Sequence, residues 1–401
     1  MKNTTIALFA CAILAAVALA QPAIGILPGE EVPAVVEAPQ RPGSEAQQPP
    51  GVLPGEEAPV AIAAAVASAA EAIDWGVSRV GAGADIWEKY GKAKGTKVAV
   101  LDTGCDLSHP DLMLGVLGSK DFSGSRSGPS DVHGHGTHCA GSIGARLNGD
   151  GLVGVAPECS LLVGKVLGDG GSGSDASISN GIDWSVAQGA DVISMSLGSA
   201  GLSVAIREAV QKAVRAGVIV VAAAGNSGPG ENTVGYPGGL ADVVCVAATD
   251  SNDVAARFSS RGPAVVIAAP GVSIRSCFPG GRFAEMSGTS MATPIVAGCA
   301  AMWVANNPGI KKADRPAKFR AALMASAKDL APPGRDTATG VGLIRLAQLL
   351  DGGVPLPPIP PAPGLTLTEA DLGEDARRRL DAVFPGGRFR LEILPPAQPK
   401  E

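Results

Sequence analysis

The chain is poor in aromatic residues, in positive charge and in long apolar runs. Only 3% of the 401 residues are aromatic, whereas 54 residues are glycine. We therefore expect a core of aliphatic side chains with closely packed backbones. The formal net charge is −6, which gives no basis for binding nucleic acid. Beyond the first 20 residues, no segment is long and apolar enough to cross a membrane.

The first 20 residues have the pattern of a secretory signal peptide. One positive charge at Lys2 precedes an apolar run over residues 6–20, which ends in Ala18-Leu19-Ala20. We predict cleavage after Ala20, and an extracellular or cell-envelope protein that is free of the membrane once the signal is removed. A membrane anchor is the alternative, but the run is short for a span.

Residues 21–70 are rich in proline, alanine and glutamate and contain a repeat. The sequence Gly-Ile-Leu-Pro-Gly-Glu-Glu at 25–31 recurs as Gly-Val-Leu-Pro-Gly-Glu-Glu at 51–57. Such a composition buries little apolar surface, so we expect an extended propeptide or spacer.

Three short strings carry the residue types that nucleophilic catalysis requires. Asp102 ends an apolar run over 98–101, which predicts a buried parallel strand, and open α/β sheets place their chemistry at that end of a strand. His135 lies in a glycine-rich string, and a histidine oriented by an aspartate can take a proton from a serine. Ser290 precedes an apolar run over 295–304, at a predicted helix N-terminus whose N–H groups can stabilise an oxyanion.

In the order Asp…His…Ser, and with these flanking residues, the chain resembles the subtilisin-like serine peptidases over about residues 71–350. The resemblance implies that Asp102 orients the imidazole, that His135 is the general base and then acid, and that Ser290 is the nucleophile. It also implies that Asn226 donates to the oxyanion together with the backbone N–H of Ser290. The expected activity is that of a secreted endopeptidase, which forms an acyl-enzyme on protein or peptide substrates and works as a monomer.

Between the two termini, apolar runs of strand length alternate with helical segments. The helical pattern is clearest over residues 179–188 and 202–216. The predicted strands are the apolar runs at 98–101, 161–166, 192–197, 218–223, 243–247 and 265–268. The alternation predicts an α/β fold with a doubly wound, mostly parallel sheet and helices on both faces.

The remaining boundaries follow from composition. We expect a catalytic domain over residues 71–351, a proline-rich linker over 352–364 and a small tail over 365–401. The tail is too short to form its own core.

The resemblance also indicates residues that bind the substrate. They form two walls and a base of a specificity pocket and an edge strand that pairs with the peptide. The walls are Ser196-Leu197-Gly198 and Ala223-Ala224-Gly225, the base is Gly235, and the edge strand is Gly171-Ser172-Gly173. Small residues leave a deep apolar slot, so we expect a large apolar residue before the scissile bond, with pairing through the backbone.

A structural calcium site is a further implication of the resemblance. The expected ligands are Asp111, Asn148, Asp150 and Glu71, whose oxygen atoms suit calcium.

Six cysteines remain after the signal, and the sequence alone leaves 15 pairings open. Cys139 lies one helical turn after His135, as in relatives that resemble proteinase K, which predicts a thiol near the imidazole.

Two other readings compete with a peptidase. All four histidines fall between His109 and His138, with Asp131 nearby, so three of them could bind zinc. A zinc site would not account for Asp102, Asn226 and Ser290. An inactive binding module on the same fold is the second alternative, although no residue of the triad is missing.

Overall fold

The computed structural model describes residues 71–352, together with the backbone of two short strands, Ile24–Gly25 and Val35–Val36. The predicted signal, the rest of the 21–70 segment, the linker after Gly352 and the C-terminal tail lie outside the described residues.

The described elements alternate between strands and helices. The strands are β1 (Ile24–Gly25), β2 (Val35–Val36), β3 (Ala72–Ile73), β4 (Lys97–Asp102), β5 (Val116–Asp121), β6 (Leu152–Val153), β7 (Ser160–Lys165), β8 (Ser172–Gly173), β9 (Val192–Met195), β10 (Ile219–Ala223), β11 (Val244–Thr249), β12 (Val265–Pro270), β13 (Ile274–Phe278) and β14 (Arg282–Met286). The helices are α1 (Trp75–Arg79), α2 (Ala84–Tyr90), α3 (His135–Gly144), α4 (Asp175–Ala187), α5 (Val204–Arg215), α6 (Thr289–Asn306), α7 (Arg315–Ser326) and α8 (Leu346–Leu350).

A seven-stranded sheet in the order β12-β11-β10-β9-β4-β7-β5 forms the centre of the fold, and every neighbouring pair is parallel. This confirms the predicted α/β fold. The chain moves from β4 to one side of the sheet for β5 and β7, and then to the other side for β9 to β12. The reversal places a crevice at the C-terminal end of β4, where α/β proteins bind their ligands.

Alternate residues of β4 face two separate cores. Val98 and Val100 pack with residues of α3 and α6, whereas Ala99 and Leu101 pack with residues of α4 and α5. A strand buried on both faces needs a continuous apolar run, which is what the sequence shows. Helix α6 is buried over Thr289–Val304, so it lacks an amphipathic pattern.

Two differences from the predicted elements have clear physical causes. Strand β5 was not predicted, because it lies at the sheet edge and its sequence, Val-Leu-Gly-Ser-Lys-Asp, has no buried apolar run. Helix α4 begins at Asp175 rather than 179, because Ser174 and Ser177 form a reciprocal capping box. In both places the element is built from polar or small residues, so no apolar pattern marks it in the sequence.

Shorter pairings attach the remaining segments. β13 and β14 form an antiparallel hairpin, to which β2 adds through its backbone, and β3 pairs with β6. Within the described part of the chain, no helix combines the length and the apolar character needed to cross a membrane.

Candidate active site

Asp102 and His135 form a buried hydrogen-bonded pair. Asp102 is the last residue of β4 and His135 the first of α3, and the His135 Nδ1 atom lies 2.7 Å from Asp102 Oδ1. The side chains are 1% and 0% exposed, and the Thr103 N–H donates to the same oxygen over 2.7 Å. An ionised carboxylate only accepts hydrogen bonds, so it places the ring proton on Nδ1 and leaves Nε2 to act as a base.

A third buried residue, Asp131, holds this pair together. Its carboxylate accepts the Thr103 hydroxyl at 3.0 Å and the N–H groups of His133 and Gly134 at 2.9 Å each. It also accepts the N–H and the hydroxyl of Thr137, at 2.9 and 2.7 Å. Asp131 therefore links the end of β4 to the start of α3. From the sequence, Asp131 was identified only as a neighbour of the histidines; an aspartate four residues before His135 was the available signal.

The glycine before His135 is required by both conformation and space. Gly134 has φ of 102°, and a Cβ there would lie 2.2 Å from the ring of Phe278. Any side chain would strain the backbone and displace the aromatic ring, which would move His135.

Two other histidines have structural partners. His138 Nε2 lies 2.9 Å from the Ile274 carbonyl, and burial lowers the pKa of His138 to about 4, so the ring is neutral at neutral pH. His109 Nε2 lies 2.9 Å from the Arg282 carbonyl. In the described part of the chain, no group of possible metal ligands contains two histidines, which argues against the three-histidine zinc site.

Ser290 lies in the first turn of α6, held by unusual backbone contacts. Its hydroxyl donates to the Ser196 carbonyl over 3.3 Å. Its own carbonyl accepts the Ser196 hydroxyl at 2.8 Å and the Cys139 thiol at 3.6 Å. The residue four positions later is Pro294, which has no N–H for the normal helical hydrogen bond. The proline thus frees the Ser290 carbonyl for contacts that fix the serine against β9 and α3.

Cys139 brings the two halves of the site together. Its Sγ atom, a ring nitrogen of His135 and a carboxylate oxygen of Asp102 lie within 4.8 Å of one another. Because the same thiol contacts the Ser290 backbone, Asp102, His135 and Ser290 share one buried location between α3 and α6.

Asn226, which follows β10, contacts the start of α6. Its Oδ1 accepts the N–H of Thr289 at 3.0 Å and the Thr289 hydroxyl at 2.9 Å. A backbone N–H can only donate, so the amide oxygen must face Thr289 and the NH₂ group points the other way. The side chain is preorganised as a donor beside Ser290.

The residues predicted to line the specificity pocket are neighbours in the structure. The Gly235 N–H donates to the Ala224 carbonyl over 2.9 Å, which joins the base to one wall. The other wall is attached through Ser199 and Tyr236, whose backbones exchange hydrogen bonds of 2.9 and 2.8 Å. A Cβ at Gly235 would lie 3.0 Å from the Ser199 carbonyl oxygen, so the base has room only for glycine without adjustment.

The predicted edge strand is paired with the chain's own N-terminal region. β1 runs antiparallel to β8, with Ile24 opposite Gly173 and Gly25 opposite Ser172. On its other side, Gly25 donates to the Gly198 carbonyl over 3.4 Å and accepts the Gly198 N–H at 3.2 Å. An extended piece of the 21–70 segment therefore lies between the two backbones expected to hold a substrate.

The four predicted calcium ligands lie around one loop. Asn148 donates through Nδ2 to Asp111 at 3.1 Å and through its N–H to Glu71 at 2.8 Å. The Asp111 carboxylate also accepts the Leu152 N–H at 3.0 Å, and the Asp150 N–H donates to Asn148 Oδ1 over 3.1 Å. The donor set is made of oxygen atoms and carries three carboxylates, which fits calcium, although the Asn148 amide turns its nitrogen toward Asp111.

Five of the remaining cysteines are buried thiols: Cys105, Cys159, Cys245, Cys277 and Cys299. Burial raises the pKa of each of them, to about 12 for Cys159 and Cys245, so all stay protonated at neutral pH. They act as apolar packing residues.

Comparison with known proteins agrees with this geometry. Residues 93–342 match the model of the subtilase family of peptidases. The chain is 45% identical over 239 residues to subtilisin Savinase of Lederbergia lenta, covering 60% of this chain and 87% of that protein. It is also 45% identical to an alkaline protease of Alkalihalobacillus alcalophilus over 245 residues, 61% of this chain and 63% of the relative, so it spans under two thirds of that relative's length. On this evidence, the chain belongs to the subtilase family.

Proposed function

We propose that the chain is a serine endopeptidase that cleaves proteins through an acyl-enzyme. The observation that carries the proposal is the buried hydrogen bond between His135 and Asp102, placed beside the helix that presents Ser290. Family membership and the names of the relatives support the same activity.

The chemistry follows from the protonation states of these residues. Nε2 of His135 takes the proton of the Ser290 hydroxyl as Oγ attacks the peptide carbonyl. The resulting imidazolium is stabilised by Asp102 and gives its proton to the leaving nitrogen when the C–N bond breaks. Water then repeats the sequence: His135 removes its proton, the hydroxide oxygen attacks the acyl carbon, and the proton returns to Ser290 Oγ. Neither half of the cycle needs a metal or a cofactor to balance.

Asn226 stabilises the tetrahedral intermediate in this proposal. Its NH₂ group and the Ser290 N–H are the two donors to the oxyanion. The Thr289 contacts fix the amide before the substrate binds, so reorganisation costs little at the moment of reaction.

Replacement of Asn226 by alanine is expected to lower kcat by ~10²–10³-fold with little change in KM, as removing one oxyanion donor does in subtilisin, a relative of this chain. Steady-state kinetics on a chromogenic peptide measure both constants. Thr289→Ser keeps the hydroxyl that accepts and donates at this site and is the matched control. A kcat within threefold of the wild type would remove Asn226 from the mechanism.

We infer that the pocket prefers a large apolar residue before the scissile bond. The support is the glycine base at Gly235, next to walls made of small or apolar residues. The mode of binding is backbone pairing: an extended peptide would replace β1 between β8 and Gly198 and use the backbone groups with which β1 pairs in this structure.

Gly235→Ala tests this preference, because its methyl group fills the base of the pocket. We expect kcat/KM to fall about 10–100-fold for a peptide with phenylalanine before the bond, and to fall much less for the alanine analogue. Mapping cleavage sites in an unfolded protein by mass spectrometry gives the wild-type preference. Equal losses for both peptides would show that Gly235 does not line the pocket.

Calcium is proposed as a structural ion held by Glu71, Asp111, Asn148 and Asp150. It would tie the start of the described domain, at β3, to the loop before β6. A bound ion stabilises the folded state by about 2.7 kcal/mol when its concentration is 100 times Kd.

Chelation of calcium is accordingly expected to lower the Tm by several degrees, and added calcium to restore it. Asp111→Asn should reduce or abolish this calcium-dependent shift, whereas Asp183→Asn, at an exposed position of α4, should retain it. Scanning calorimetry with and without chelator checks both. A Tm that does not respond to calcium in the wild type would refute the site.

Secretion and a monomeric state belong to the same proposal. Residues 1–20 are the supporting signal, and peptide hydrolysis by this mechanism requires one chain and its substrate. Analysis of the culture medium for protein that begins at Gln21 or later tests export.

A further inference from the structure

A buried lysine lies beside Asp102 and has no part in the chemistry given above. Lys165 ends β7, and its side chain is 0% exposed. Among the residues that the structure describes, no other lysine or arginine is buried. Burial of an ammonium group is costly unless its charge and its N–H donors are paired, so the contacts of Lys165 indicate what the site gains from it.

The register of the sheet places Lys165 next to Asp102. The two residues are partners in the parallel pairing of β7 with β4. Two positions earlier in each strand, Val163 and Val100 both pack in the core that contains residues of α3 and α6. Because side chains alternate along a strand, Lys165 and Asp102 leave the sheet on that same face, at its C-terminal edge.

The ammonium group of Lys165 holds the residue that follows Asp102. Nζ donates to the Thr103 carbonyl over 2.5 Å and to Asp169 Oδ1 over 3.1 Å. The Asp102 carbonyl, one residue earlier, accepts the N–H groups of the two residues after Lys165, at 2.9 and 3.0 Å. Backbone groups of almost any sequence could make this second set of contacts, whereas the contact with Thr103 depends on the lysine side chain.

Thr103 connects this contact with the catalytic pair. Its N–H donates over 2.7 Å to Asp102 Oδ1, the oxygen that also contacts His135. Its hydroxyl donates to Asp131 over 3.0 Å and accepts the Gly136 N–H at 2.9 Å. Every polar group of Thr103 therefore has a partner, and the partner of its carbonyl is an ion.

The turn after Thr103 explains why the carbonyl needs such a partner. The peptide group that carries it leads into Gly104, which has φ of 104°. A glycine permits rotation of the peptide before it at little steric cost, and the Lys165 contact opposes that rotation. Without the contact, Thr103 is free to turn, which withdraws its N–H from Asp102.

We propose that Lys165 is a positioning residue for catalysis: its ammonium group fixes Thr103 and so holds the Asp102 carboxylate where it orients His135. The inference rests on the proposed peptidase function and adds a residue to its mechanism. The effect of Lys165 passes through Asp102, and the pocket for the substrate does not depend on it.

Lys165→Met tests the proposal, because methionine suits a buried site and lacks both the donors and the charge. We expect kcat to fall ~10–100-fold and KM to stay within about threefold of the wild type, since the orientation of the acid–base pair is lost while the pocket is unchanged. Steady-state kinetics measure both constants, and scanning calorimetry shows whether the variant is folded. Lys212→Met makes the same change at a lysine that is 60% exposed and should match the wild type.

Two further variants separate the Thr103 contact from other roles of the lysine. Asp169→Asn removes the ion pair and leaves the contact with Thr103, so kcat should stay within about threefold of the wild type. Lys165→Arg keeps a cation that can donate to both oxygen atoms, so kcat should stay within about fivefold of the wild type. The arginine variant also tests the proposal if methionine prevents folding.

A double-mutant cycle tests whether Lys165 acts through Asp102. A chain with Asp102→Ala has no carboxylate to position. In that chain, Lys165→Met should lower the remaining rate of peptide hydrolysis by less than about twofold. A loss as large as in the otherwise wild-type chain would show that the lysine acts elsewhere, and would overturn the inference.

The other outcomes separate this inference from the proposed function. With an active wild type, the inference alone fails if folded Lys165→Met keeps kcat within about threefold, or if folded Lys165→Arg loses more than about fivefold. It also fails if Asp169→Asn loses as much as Lys165→Met. A folded wild type and Lys212→Met that hydrolyse no peptide would overturn the peptidase function, and the inference with it.

Discussion

Replacement of Ser290 by alanine is expected to lower kcat for peptide hydrolysis by at least ~10⁵-fold, close to the loss that removal of the nucleophile causes in subtilisin, a relative. Without Oγ no acyl-enzyme forms, so the histidine and the oxyanion donors can act only on water. Substrate affinity should change little, because the walls and base of the pocket are untouched. Steady-state kinetics at equal protein concentration, determined from absorbance, measure the loss.

Ser179→Ala is the matched control for this prediction. Ser179 lies on α4, on the opposite face of the sheet from α6, and its hydroxyl donates to the Ala176 carbonyl of its own helix. Its activity should equal that of the wild type. A Ser290→Ala protein that retained more than about one hundredth of the wild-type kcat would exclude a serine nucleophile at this position.

Replacement of Asp102 by asparagine is expected to lower kcat by ~10⁴-fold while the fold is kept. The Thr103 N–H would hold the amide oxygen of the asparagine in the place of Oδ1, so the neutral side chain still accepts from Nδ1 of His135 but no longer supplies the negative charge that stabilises the imidazolium formed in the reaction. The effect is one of charge rather than of position, since the two side chains have nearly the same shape. The loss should appear both in kcat and in the rate at which a fluorophosphonate acylates Ser290.

Asp183→Asn provides the comparison, because it makes the same chemical change at an exposed residue that pairs with Lys212. Equal Tm values for the two variants would show that lost activity at Asp102 is not lost folding. If Asp102→Asn kept a tenth or more of the wild-type rate, the 2.7 Å contact with His135 would be a structural feature rather than part of the catalytic mechanism.

The sequence predicted the parts of the fold that depend on continuous burial. β4 and β10 are apolar runs, because both faces of a parallel sheet are covered by helices. β5 was not predicted in this way, since an edge strand with alternating exposure has no continuous apolar run. Helix α4 was predicted with a late start for a related reason: its first turn is polar and is fixed by a capping box.

The candidate site divides in a similar way. Asp102, His135 and Ser290 each lie in a short sequence motif whose role can be predicted from that motif alone. The roles of Asp131 and Pro294 cannot, because each depends on partners far away in sequence: the five donors around one carboxylate, and the hydroxyl of Ser196 at a carbonyl that the proline leaves free. The pairing of Gly25 with Gly198 likewise emerges only when the chain is folded.

The most direct test of the account is labelling of the purified chain with a fluorophosphonate probe, followed by mass spectrometry of the labelled peptide. Time must be allowed for the probe to compete with the N-terminal segment. We expect one labelled residue, Ser290, in the wild type and none in Ser290→Ala. A folded wild type that takes up no probe, or takes it up at another residue, would contradict it.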